Sequence, residues 1–282
     1  MATSALKVLL DCLEQDRSWR APDQLQRRVD ALDRLESCLI HVQAMLEPSL
    51  YRRVEAIQLE LEAINRMLYR SIRDEIRRGA GVQALLPWMT VPEDGFDQDG
   101  YDHLDALASG VLQLAEPEGD IADPLPGMVF YQPTPARHIF DFIRHASLGE
   151  RDVLIDLGSG LGHVPLLAAA CTPARCVGIE REPAYVASAR QAALALKLGN
   201  ATFLQQDARS ADVSEGTVFY LYTPFTGVVL RSVLDMLRRE ARRREIRLGT
   251  FGPCTSFIAQ EAWLRAEGRC TEQRVAMFHS AG

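Results

Sequence analysis

A chain of 282 residues has room for one large domain, or for one domain and a helical accessory region. Its hydrophobic fraction of 47% and charged fraction of 24% are ordinary for a soluble globular protein. A formal net charge of −7 argues against generic nucleic-acid binding, and no run of about 18 apolar residues is present to span a membrane. Six cysteines form neither a C-x-x-C pair nor a Cys/His zinc spacing, the pattern of scattered reduced thiols rather than of a metal site. Asp11 and Glu14 interrupt the first apolar stretch, so no signal peptide is expected and a cytoplasmic location is.

The first ninety residues read as helical. Leu25, Val29, Leu32, Leu35, Leu39, Val42 and Leu46 recur at spacings of three and four until Pro48-Ser49. Leu50, Val54, Ile57, Leu61, Ile64, Leu68, Ile72 and Ile76 continue the pattern to Gly79 and Gly81. The spacing predicts an antiparallel hairpin over residues 1–91. Its apolar stripe has two uses: packing within the hairpin and against the rest of the chain, or forming a homodimer seam. The arginines of the second helix alternate with acids, which describes a solvated face rather than an anion groove.

Residues 92–129 are strongly acidic: Glu93, Asp94, Asp97, Asp99, Asp102, Asp105, Glu116, Glu118, Asp120 and Asp123. A short helix near Tyr101 to Leu114 is expected inside this segment. It is either a linker or an acidic rim that would attract a basic substrate. Phe130-Tyr131-Gln132-Pro133-Thr134-Pro135 then leads into an apolar periodic run, with Thr134 as N-cap and Pro135 at the first helical position.

Residues 130–282 alternate strands and helices, which predicts a doubly wound, mostly parallel α/β sheet. Val153-Leu154-Ile155 is a buried strand ending at Asp156, and Gly158-Ser159-Gly160-Leu161-Gly162 follows before an alanine-rich helix. The dinucleotide pattern requires a glycine at position 163, where His163 stands, and a phosphate loop requires a lysine that the turn lacks. A ligand loop and a purely structural turn both remain open on these residues alone. Val177-Gly178-Ile179 ends at Glu180, an acid about twenty residues beyond the turn and able to accept from both ribose hydroxyls, with Glu182 as the alternative. After a helix from Pro183 to Leu198, stopped by Gly199-Asn200, a third strand reaches Asp207-Ala208. There an acid and a neighbouring amide can read an adenine. Val218-Phe219-Tyr220-Leu221 runs into Tyr222-Thr223-Pro224-Phe225. A helix to about Arg244, a strand over 246–251, a helix through Trp263-Leu264 and one last strand over 273–279 complete the chain. The far edge of the sheet therefore looks short.

The series Asp156-x-Gly158-x-Gly160-x-Gly162, Glu180 and Asp207 resembles the S-adenosylmethionine (SAM) site of class I methyltransferases, from about Phe130 to the end of the chain. Within that class, the stretch Ile155 to Val164 and Val177 to Glu180 are similar to the non-SET histone-lysine methyltransferases. The substrate motif after the fourth strand differs, however, so histone specificity is not implied. The resemblance implies SAM as cofactor, held by Tyr131, Gln132, Thr134, Asp156, Gly158, Ser159, Gly160, Gly162, Glu180, Asp207, Ala208 and Tyr222. It places substrate chemistry at Tyr222, Thr223, Pro224 and Phe225, a loose likeness to an amino-methyltransferase motif. Tyr222, His163 and Tyr131 are the nearest candidate bases. The expected partner is an unidentified methyl acceptor, a protein side chain or small molecule ahead of nucleic acid, and a basic one if the acidic segment rims the site. The alternative is a non-catalytic SAM-binding regulatory protein acting through its helical hairpin.

Overall fold

A computed structural model describes residues 2–40, 47–89, 100–115, 127–129 and 131–281. Val42, Leu46 and Phe130 lie outside the described residues, as do the acids at 93–99 and 116–123. The chain clusters into two units, Met1–Ile72 with Tyr101–Val111, and Arg73–Gly100 with Leu112–Gly282.

The first unit is helical. It contains α1 (Ala2–Gln15), α2 (Leu25–Ile40), most of α3 (Pro48–Arg77) and most of α5 (His103–Leu112), α4 being the short Gly81–Leu85 of the second unit. Pro48 starts α3 because its fixed φ suits a first helical turn and its missing N–H has no partner to lose there. The apolar stripe of α3 is used inside the unit. Leu50, Val54, Ile57 and Leu61 are buried with Leu6, Leu9 and Leu10 of α1, with Ala31 and Leu35 of α2, and with Trp19. The expected two-helix hairpin is thus a larger bundle, since α1 shares its core and the helix inside the acidic segment clusters with it. Arg28 is fully buried in this unit, and its guanidinium donates to Asn65 Oδ1 (2.6 Å) and to the carbonyls of Trp19, Ala21 and Pro22.

The second unit holds a seven-stranded sheet, ordered β3-β2-β1-β4-β5-β7-β6. Its strands are β1 (Val153–Leu157), β2 (Arg175–Glu180), β3 (Ala201–Gln205), β4 (Val218–Tyr222), β5 (Arg247–Phe251), β6 (Leu264–Ala266) and β7 (Ala276–Ser280). The first five are parallel, whereas β7 is antiparallel to both β5 and β6. The expected short far edge is corrected here. α10 stops at Ile258 after five residues, and the stretch expected to continue as helix turns into β6 instead. A three-residue strand with two exposed positions carries too little periodicity to announce itself.

Strand side chains alternate between faces. Ile155, Leu157, Val177, Ile179, Phe219, Leu221 and Leu248 point to one face and build a core with Val229, Leu230, Val233, Leu234 and Leu237 of α9 (Gly227–Ala241). The opposite face therefore receives Asp156, Gly178, Glu180, Tyr220, Tyr222 and Gly249. α6 (Ala136–Ala146) contributes Phe142 to that side, its ring 4.7 Å from Tyr220. α7 (His163–Cys171) and α8 (Pro183–Leu196) are the crossovers from β1 to β2 and from β2 to β3.

Two local expectations change. Pro135 rather than Thr134 is the N-cap of α6, and no side chain caps it, because Thr134 is buried beside Tyr220. α8 ends at Leu196 with Lys197 in the left-handed conformation, ahead of the Gly199 that was expected to stop it.

Candidate active site at the carboxyl ends of β1, β2 and β4

Strand order reverses between β1 and β4, and a cavity of about 820 Å³ opens at the carboxyl ends there, the position where such sheets bind ligands. The turn after β1 forms its base. Gly158, Gly160 and Gly162 all have positive φ. The Gly158 and Ser159 amides donate to Ile179 O at 2.9 and 3.0 Å, lashing the turn to β2. A Cβ on Gly158 would stand 2.4 Å from Pro224, and one on Gly160 would stand 2.0 Å from the Tyr131 ring. Only glycine satisfies both the backbone angle and the packing.

Glu180 closes the turn from the other side. One carboxylate oxygen accepts from the Gly160 amide at 2.9 Å, and the other accepts from the amides of Arg181 (2.6 Å) and Glu182 (2.9 Å). Three of roughly four acceptor positions are thereby occupied. Glu182 caps α8 by accepting from Ala184 N, which accounts for it locally although it also lines the cavity.

Asp156 is buried on the cavity wall, and no cation among the described residues lies against it. Burial raises its carboxyl well above the ordinary value of 3.8, and the negative charge of Glu180 raises it further. Tyr131 lies across Gly160, 4.9 Å from the Tyr185 ring, with its hydroxyl 3.1 Å from His163 Nδ1. Desolvation holds His163 down to about 4, so its imidazole is neutral at neutral pH.

At the end of β4, Thr223 adopts φ +39, unusual for a β-branched residue. Its hydroxyl donates to Phe251 O (3.2 Å) and accepts from Cys254 N (3.1 Å), which holds it in that conformation. Phe225 is buried in the core on the far face of the sheet while still touching the cavity. Tyr222 packs 4.9 Å from Phe251, and His138 stacks on that ring at 4.0 Å. Residues 127–129 run along this loop, with Val129 N donating to Pro224 O and Thr226 N to Gly127 O.

Of the residues singled out from sequence, Tyr131, Gln132, Thr134, Asp156, Gly158, Ser159, Glu180, Ala208, Tyr222, Thr223, Pro224 and Phe225 line one cavity. Gly160 and Gly162 do not line it. They shape the turn from behind, Gly162 against Phe203 and Ala189. The structure does not bring Asp207 to the cavity either. Its carboxylate is held bidentately by Arg209 (2.9 and 2.6 Å), which keeps its pKa low, and Gln205, Gln206 and Ala208 face the cavity instead. Sequence reasoning missed Tyr220, Tyr185 and the two glutamines as lining residues. For Tyr220 a signal existed: it lies two residues from Tyr222, on the same face of a strand.

Residues 148–238 match a family model described as a methyltransferase domain. No curated protein matches. Among solved structures, an RNA methyltransferase from Salinibacter ruber in complex with S-adenosyl-L-homocysteine is 28% identical, covering 53% of this chain and 92% of that one, with a TM-score of 0.42. A precorrin-8W decarboxylase from Methanobacterium thermoautotrophicum is 20% identical over 56% and 100% of the two chains (TM-score 0.40). A precorrin-6y C5,15-methyltransferase from Geobacter metallireducens is 17% identical over 55% and 92% (TM-score 0.42). The family match runs from β1 into α9 and includes most of the residues that line this cavity, so this part of the chain is similar to a methyltransferase domain.

Proposed function

We propose that the chain binds SAM in this cavity and transfers the methyl group to a protein side chain or a small molecule. The observation that carries the reading is Asp156, a buried carboxylate on a ligand-sized cavity with no cation among the described residues beside it, next to a glycine turn that Glu180 ties in place. A buried charge without a partner is expensive, and a ligand bearing a cationic end removes the expense. SAM has such an end, and it supplies a methyl group on a sulfonium, which a nucleophile displaces in line.

The chain's own residues contribute binding, orientation and exclusion of water. Asp156 and the glycine turn hold the amino-acid end, Glu180 faces the ribose, and Gln205, Gln206 and Ala208 face the base. Tyr222, Pro224 and Phe225 wall the acceptor side. Thr223 does not act as a base, because an alcohol is a poor proton acceptor and its oxygen already accepts from Cys254 N. With Thr223 unsuited to take a proton, an acceptor atom that carries a lone pair on arrival suits this side of the cavity, and positioning alone can lower such a barrier by about 7–11 kcal/mol in favourable cases. Asp156, Glu180 and Glu182 outnumber Arg181 around the cavity, and this balance together with the net charge of −7 disfavours a polyanionic acceptor.

Calorimetric titration tests the first half: SAM and S-adenosylhomocysteine should bind and NAD should not. Pooled cell extract given methyl-labelled SAM then tests the second, with label expected in the protein or small-molecule fraction. Label in nucleic acid would overturn the acceptor class. The committed Thr223 hydroxyl and the buried Phe225 favour a second reading, a SAM-binding regulatory protein without catalysis, which tight SAM binding with no transfer to any fraction would establish.

A further inference from the structure

Four strands place one residue each in a single row across the sheet: Gly178 of β2, Asp156 of β1, Tyr220 of β4 and Gly249 of β5. Register partners in a parallel ladder share a face, so this row points to the cavity side. The row continues into Phe203 of β3 and Met277 of β7, and the positions flanking Asp156 and Tyr220 must be glycine. A Cβ on Gly178 would lie 2.5 Å from the Phe203 ring, and one on Gly249 would lie 2.4 Å from the Phe142 ring. Aromatic rings thus fill the space over both glycines, and the two polar members of the row, Asp156 and Tyr220, line the cavity between them.

Tyr220 is 1% exposed, yet its hydroxyl makes no hydrogen bond of good geometry, although Thr134 lies beside it. Ser159 Oγ, on the same cavity, is likewise without a partner. A buried hydroxyl of this kind destabilises the fold that carries it. Packing does not require it, since a phenylalanine ring would meet Phe142 equally well. A polar group bound in the cavity gives the oxygen a partner.

We propose that Tyr220 is a ligand-positioning residue whose hydroxyl accepts a hydrogen bond from the ammonium end of the SAM amino acid, the group that its register partner Asp156 holds by charge. This rests on the SAM reading above. Asp156 and Glu180 decide between the two polar ends of that ligand portion, because both repel a carboxylate and attract an ammonium. Tyr222 lies two residues further along the same face, toward the acceptor side. By holding the amino-acid end, Tyr220 fixes how deep the ligand sits relative to Tyr222.

Tyr220→Phe removes one oxygen and keeps the ring. The variant and the wild type are titrated with S-adenosylhomocysteine and with 5′-methylthioadenosine, which lacks the amino-acid end, and both proteins are melted without ligand. The substitution should raise the Kd for S-adenosylhomocysteine about 10- to 100-fold, the range for one hydrogen bond to a charged group. It should leave the Kd for 5′-methylthioadenosine within about twofold. The unliganded variant should melt no lower than the wild type, because no bond is lost. A lower melting temperature would make the hydroxyl structural and overturn the proposal. Equal losses for the two ligands, or no loss for either, would overturn it too. Wild-type protein that fails to bind S-adenosylhomocysteine defeats the SAM reading itself and this proposal with it, whereas normal wild-type binding with an indifferent variant defeats this proposal alone.

Discussion

Glu180→Gln is the substitution that separates the structural from the ligand-binding work of the β2 acid. The carboxylate accepts three backbone amides, Gly160 through one oxygen and Arg181 with Glu182 through the other. A carboxamide of the same shape has a single acceptor oxygen, so one side must turn an N–H toward an N–H. The lesser loss keeps the Arg181–Glu182 pair and abandons Gly160. Leaving a half-buried donor unpaired costs about 1–3 kcal/mol. For a domain of this size each kcal/mol lowers Tm by about 2–4 °C, which gives a fall of roughly 2–12 °C in a melt without ligand. The glycine turn, freed at Gly160, must also be reordered by the ligand, and the ribose loses a charged acceptor. SAM affinity should therefore fall by a further 1–3 kcal/mol or so, about 5- to 150-fold, in calorimetric titration. Glu180→Asp, one methylene short, should do no better. A Glu180→Gln protein that melts within about 1 °C of wild type and binds SAM equally would refute both the tie to Gly160 and the ribose role.

Gly160→Ala should drive the Tyr131 ring out of the cavity, because its Cβ would come within 2.0 Å of that ring at φ +52, and Tyr131→Ala in the same chain should restore part of the lost SAM affinity in a double-mutant cycle. Asp156 links binding to pH. The folded carboxyl keeps its proton above 3.8, where the unfolded chain has released it, so its contribution to stability falls as pH rises past that value. A cationic ligand selects the charged form, so SAM affinity should rise with pH through the raised pKa with proton release, read by calorimetry in two buffers of different ionisation enthalpy; Asp156→Asn should abolish the dependence. Thr223→Val removes the bonds to Phe251 O and Cys254 N and leaves φ at +39, and should lower stability by about 1–3 kcal/mol in denaturant melts; an unaltered midpoint would mean that the hydroxyl does not hold the turn.

What the sequence by itself determined is whatever has a short period or a local backbone demand. The parallel strands β1 to β5 were legible because each is an apolar run closed by a turn or an acid, and the loop after β1 because its glycines must take positive φ. Glu180 was legible from its distance along the chain, since a strand–turn–helix–strand unit has nearly constant length. The tertiary structure decided where side chains face and which groups are already engaged. Asp207 occupies the position an adenine-reading acid would take, but Arg209 two residues on is long enough to claim it. Thr134 reads as a helix cap locally, whereas the packing of α6 against β4 buries it beside Tyr220. β6 is three residues long and exists only because β7 offers it a ladder. Tyr220 is the clearest case. In sequence its spacing from Tyr222 gives its face, but only the register between strands places it beside Asp156, with glycines on either side of the pair. Register is a property of pairing between strands distant in the chain, and no local pattern encodes it.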